Sequence, residues 1–197
     1  VIVGMEVMGL KQNNLEWDKL AYKILKVAFI ITTTLGAMTG VGIWFSASLV
    51  NPNSIGSLIR VFFSAWFFEW IIFVTEVVLI MFYYLTWQKW TKGRAKFNHI
   101  LVGYALAVFS WITMAVIVSI LGFMMDPGNW NTEKSLLNGF TNPIYLPQLL
   151  FRTFLAGMMG ASFALACVYY FTEKGSEIRA KATRFTSGWL FVCAITT

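Results

Sequence analysis

The sequence predicts an all-α protein: a polytopic membrane bundle of four complete transmembrane helices with a partial helix at each end. Three observations carry that expectation. Hydrophobic residues make up 58% of the 197 positions and charged residues 12%, where a typical soluble domain has about 45–50% and about 25%. Four apolar stretches each reach the roughly 20 residues that a bilayer-crossing helix needs. The cationic residues are crowded in one connection and sparse in the next. A chain with so few charges does not cover a water-facing surface. That argues against a soluble enzyme, a nucleic-acid-binding module and a disordered protein.

Taken in order, Val1 to Leu10 reads as the tail of an earlier helix, with Glu6 at its cytoplasmic end. The complete spans run from about Val27 to Val50, Val61 to Trp87, His99 to Met125 and Gln148 to Phe171, and a fifth helix starts near Phe185. A Val at position 1 and an unfinished last helix lead us to expect that the chain continues at both ends. Residues 1–197 then form a single transmembrane helical domain, the N-terminal part of a longer subunit. No signal-peptide pattern is visible. Asn51-Pro52-Asn53-Ser54, Asp126-Pro127-Gly128 and Asn142-Pro143 supply turn chemistry beside the spans. Trp17, Trp87, Trp90 and Trp130 lie near span ends, as in an interfacial belt. Gly36, Gly40 and Gly42, and Ala156, Gly160 and Ala164, are small residues that let helices approach closely or admit a flat cofactor. Cys167 and Cys193 read as small apolar residues.

Charge sets the orientation. Lys11, Lys19, Lys23 and Lys26 precede the first complete span; Lys89, Lys92, Arg94 and Lys96 follow the second; Lys174, Arg179, Lys181 and Arg184 follow the fourth. The alternate connections hold only Arg60 and Lys134. Twelve of the 15 basic residues thus fall on one side, the positive-inside pattern. Loops 11–26, 88–98 and 172–184 are expected to be cytoplasmic and to meet lipid headgroups. The net charge of +6 is topological, so no nucleic-acid partner is expected.

Ionisable residues inside spans are costly and usually face a bundle interior, a cavity or a partner. Glu69 and Glu76 lie in the second complete span and Arg152 near the start of the fourth. At about 100° per residue, the two acids fall within roughly 20° of one face, about 10.5 Å apart along the axis. Trp66, Phe73 and Ile80 share that face approximately. Such carboxyls are neutral, paired or bound to a cation or metal. They read as a proton path, as ligands of a cofactor metal, or as acids that fix helix contacts. Arg152 reads as a counter-ion for a carboxylate, Glu69 or a cofactor propionate, or as a snorkelling side chain. His99, the only histidine, reads as a solvated cap beside a basic loop rather than a ligand. Thr32, Thr33 and Thr34 are expected to bond to preceding backbone carbonyls, and Met158 and Met159 to pack.

In order along the chain, these residues resemble subunit I of the cytochrome bd-type quinol oxidases. The resemblance rests on Gly4-Met5-Glu6, on Gly36-Ala37-Met38-Thr39-Gly40-Val41-Gly42, and on Glu69, Glu76 and Trp87 along one helix. It continues through His99, the ending Gly122-Phe123-Met124-Met125-Asp126-Pro127, Asn142-Pro143, Phe151-Arg152-Thr153 and Gly157. It implies haem-associated electron transfer from quinol toward oxygen, with haem of the b and/or d type. It makes Glu69 a haem ligand or its neighbour, and so the metal-binding residue, and Glu76 part of a proton path. It further implies a second integral membrane subunit and a bacterial or archaeal cytoplasmic membrane. There are departures. Arg152 stands where the family places a histidine that ligates low-spin haem b, and a guanidinium has no lone pair for iron. That argues against the low-spin haem here. Met125 replaces a Gln, and the acids are one residue closer together than in the family. The alternatives are a haem-depleted structural or quinone-contacting subunit of a larger respiratory complex, or a proton-coupled transporter.

Overall fold

The computed structural model describes residues 1–197, the side chain of Asn131 excepted. Of the described residues 86% are helical and none lies in a strand. Four helices are long and apolar enough to cross a membrane: Leu15–Val50, Phe63–Thr86, Gly93–Met125 and Tyr145–Phe171. The expected all-α membrane bundle is therefore what the chain forms.

Helices α1 (Ile2–Lys11) and α2 (Leu15–Ile31) are joined by a tight turn. Asn13 takes φ +47° there, a region that Asn tolerates better than most residues. The Asn14 side chain accepts the Glu16 N–H at 2.8 Å. The helix that carries the first complete span begins well before Val27, at Leu15, so residues 15–26 are helix and not loop. Trp17, Leu20, Ala21, Ile24 and Leu25 are buried while Lys19, Lys23 and Lys26 are exposed. The lysines that suggested a loop form the polar face of an amphipathic helix. At Thr32–Gly36 the helix loosens into a π-helical stretch and continues as α3 (Ala37–Val50). Thr34 Oγ1 donates to the Ile30 carbonyl at 2.6 Å. Such back-bonding competes with the main-chain ladder and accompanies local unwinding.

The segment after Val50 is also a helix, α4 (Pro52–Val61), rather than a loop. Asn51 caps it by accepting the Ser54 N–H at 3.1 Å, and Pro52 takes the first helical position. Then follow α5 (Phe63–Thr86), α6 (Gly93–Met125), the short α7 (Leu136–Phe140), α8 (Tyr145–Phe171) and α9 (Glu177–Thr196). Helix α6 starts six residues before His99, and α9 starts ahead of Phe185 behind the Ser176 cap. Much of 88–98 and 172–184 is thus helical. In α9 Lys181 pairs with Glu177 one turn away at 2.5 Å.

The chain forms two units. The first holds residues 1–29, 79–106 and 150–197. Its core gathers Met5, Trp17, Ile24, Tyr83, Trp87 and Val168. Gly103 on α6 permits a close approach: a Cβ there would lie 2.7 Å from Val3 Cγ2 and 2.9 Å from the Tyr83 ring. The second unit holds residues 30–78 and 107–149. Phe62 is buried against Phe123, ring centroids 4.6 Å apart. The buried Asn142 donates to the carbonyls of Ser119 and Gly139 at 3.0 and 3.2 Å, tying the end of α7 to α6.

Gly103→Ala should destabilise the first unit by about 1–3 kcal/mol, because the packed Tyr83 ring has no room to give. A lowered midpoint of thermal unfolding in detergent checks this; an unchanged midpoint would show that the contact yields.

Candidate functional site

Helix α5 carries both acids on an otherwise apolar rod. Glu76 is half-buried and engaged by α6. Ser110 Oγ donates to its Oε1 at 2.6 Å, and Thr113 Oγ1 donates to its Oε2 at 3.2 Å. Ser110 and Thr113 are three residues apart and so lie on one face of α6. The Thr113 hydroxyl also lies 3.1 Å from the Phe109 carbonyl. Each hydroxyl can donate and accept, and the single Thr113 hydrogen is shared between Glu76 and the Phe109 carbonyl.

Glu69, two turns toward the start of α5, is also half-buried. It has no hydrogen bond or ion pair among the described residues. One turn earlier, the Trp66 Nε1–H is buried without a partner, while its ring meets Trp44 at a centroid distance of 4.6 Å. An unmet acceptor and an unmet donor therefore lie three residues apart on one helix. Much of the remaining α5 surface is apolar and exposed, including Phe67, Phe68, Trp70 and Phe73.

Arg152 is exposed in the second turn of α8. Of the small residues on that helix, Ala164 is buried while Ala156 and Gly160 are exposed. Cys167 and Cys193 are buried free thiols. Met158 is half-buried and Met159 exposed.

The first unit contains a polar cluster that the sequence reading did not assemble. Glu6 and His99 are both 0% exposed and Lys96 is 4% exposed. His99 is therefore not a solvated cap. Its basic neighbours along the chain do not make its environment; α1 and α5 do. Glu6 Oε1 lies 2.6 Å from His99 Nδ1 and 2.7 Å from Lys96 Nζ. Glu6 Oε2 accepts the Tyr83 hydroxyl at 2.5 Å. His99 Nε2 lies 2.9 Å from the Tyr83 carbonyl oxygen. Lys96 also reaches Asp18 at 2.5 Å, and Asp18 keeps some contact with solvent. Four helices, α1, α2, α5 and α6, thus meet through five side chains. Aromatic rings close the cluster: Tyr83 stacks on His99 at 4.4 Å, and Trp87 stands perpendicular to it at 4.9 Å. Lys96 Nζ sits 4.9 Å from the Trp87 ring centroid.

Trp87 and Trp90, expected near span ends, both pack beside His99. The signal available in the sequence was Lys96 and His99 three residues apart, with one acid in an apolar helix. Nothing in the sequence showed that these pair across 93 positions. With both ring nitrogens engaged, His99 has no lone pair to offer a metal. Among the described residues no group of three or more His, Cys, Asp or Glu side chains could hold a metal ion.

No curated protein and no solved structure matches the chain. A family model described as Cytochrome bd terminal oxidase subunit I matches residues 1–197, its whole length. The helical membrane architecture and the acid-bearing α5 agree with the resemblance read from the residues. On that match the chain belongs to the cytochrome bd terminal oxidase subunit I family.

Proposed function

We propose that the chain serves a quinol oxidase as a haem-associated membrane subunit, passing electrons from quinol toward oxygen while Glu76 relays protons taken up from the cytoplasm. The observation that carries this is the Glu76 carboxyl held by the Ser110 and Thr113 hydroxyls at 2.6 and 3.2 Å. A carboxyl in a membrane span is expensive, and its usual uses are proton transfer and ligation. Hydroxyl partners keep Glu76 hydrogen-bonded in either protonation state, since each can donate or accept.

The residues present suit a haem on the other acid. Glu69 has a free acceptor, Trp66 a free buried donor, and the surrounding α5 surface is apolar. Glu69 would bind the iron or stand beside it, and the haem would supply the one-electron chemistry. Arg152 would pair with a propionate or carboxylate, as a guanidinium does in bidentate geometry. The exposed faces of α3 and α5 suit lipid and a second integral subunit. The basic connections would face the cytoplasm of a bacterial or archaeal cell, and the chain would form one transmembrane domain.

A second reading is favoured by one observation. By the resemblance, Arg152 stands where the family places the histidine of low-spin haem b, and a guanidinium cannot ligate iron. A haem-depleted structural or quinone-contacting subunit follows if Glu69 binds nothing.

In the assembled oxidase, Glu69→Gln should remove haem absorbance, and Glu76→Gln should keep it while slowing oxygen reduction on the order of a hundredfold. Full haem content and full activity in both variants would contradict the proposal. Arg152→His should add a low-spin haem b band to the reduced-minus-oxidised spectrum. An unchanged spectrum would show that position 152 does not face that haem.

A further inference from the structure

The Glu6–His99 contact poses a question of proton count. His99 Nε2 faces a backbone carbonyl, that of Tyr83, at 2.9 Å. A carbonyl only accepts, so Nε2 must carry hydrogen. In a neutral imidazole the other nitrogen, Nδ1, is then a bare acceptor. Yet Nδ1 lies 2.6 Å from Glu6 Oε1, which is also an acceptor when ionised. Two lone pairs do not settle at that distance, so a proton lies between them.

Its owner follows from the other contacts. Glu6 Oε1 also receives Lys96 Nζ at 2.7 Å, and Oε2 receives the Tyr83 hydroxyl at 2.5 Å. A carboxylate accepting several hydrogen bonds is favoured in its charged form. Charge balance agrees. Glu6 and Asp18 are two negative charges, Lys96 is one positive charge, and a second positive charge on His99 makes the buried group neutral. The Tyr83 ring stacked on His99 at 4.4 Å presents a π face to that cation. The charged and titratable groups around His99 are Glu6 from α1, Asp18 from α2, Tyr83 from α5 and Lys96 from its own helix.

We propose that His99 is held as an imidazolium, so that the first unit contains a dedicated proton-binding site built from Glu6, Tyr83, Lys96 and Asp18. The proton completes a neutral cluster and is a fixed part of the structure. It does not belong to the Glu76 relay, and the inference stands whether or not the proposed function does.

The test is nitrogen NMR on the assembled oxidase in lipid nanodiscs at neutral pH. Labelling His uniformly with 13C and 15N and Ile with 15N selects the His99–Ile100 pair and connects it to the ring nitrogens without a variant. The expected result is a directly bonded hydrogen on both ring nitrogens of His99. A Nδ1 without hydrogen overturns the proposal, whether the proton is then on Glu6 or absent. Because no substitution is needed, failure of a variant to fold does not affect the outcome.

Discussion

Every contact of the first unit's polar cluster converges on one carboxylate. Glu6 is wholly buried, and an unpaired charge there would cost several kcal/mol even after relaxation. The fold meets that cost by bringing three other helices to α1. Tyr83 arrives on α5, Lys96 and His99 on α6, and Lys96 carries Asp18 of α2 with it. Apolar packing alone would tolerate small slides between such helices. Hydrogen bonds with fixed donors and acceptors do not, so the cluster sets the register of α1 against α5 and α6. Gly103 belongs to the same arrangement, because its missing side chain is what lets α6 lie against Val3 and Tyr83.

The acids of α5 are handled differently. Glu76 meets two neutral hydroxyls, with no cation among its hydrogen-bond partners. Glu6, by contrast, is met by Lys96 and His99. Glu69 has neither arrangement. One family fold thus places three carboxyls in apolar helices and partners each differently: Glu6 with charged groups, Glu76 with hydroxyls, and Glu69 with no hydrogen bond among the described residues.

Much of the fold was legible in the residues, because span length and cation alternation are local properties. The four spans came from composition, and the resemblance came from residues in order. What misled was also local. Lysines ahead of Val27 were read as loop, although their spacing places them on one face of α2. Asn51-Pro52-Asn53-Ser54 was read as a turn, although Asn and Pro at those positions also start a helix. Glu69 and Glu76 were legible as anomalies by themselves, since a charge in a span needs no partner to be noticed. The Glu6 cluster was not, because its members look ordinary singly: an acid at a helix end, a histidine and a lysine in a basic stretch, tryptophans at an interface. Their meaning depends on pairings 77 and 93 residues apart, which no short-range pattern reveals.

The central claim is that Glu6 and His99 stabilise the fold as a charge pair rather than as separate contacts. A double-mutant cycle on Glu6→Gln and His99→Gln, read by thermal unfolding of the assembled oxidase in nanodiscs, tests it directly. The account predicts that each single variant strands an opposite charge and lowers the midpoint. The double variant should recover much of the loss, with a coupling on the order of 2 kcal/mol. Losses that simply add in the double variant would contradict it.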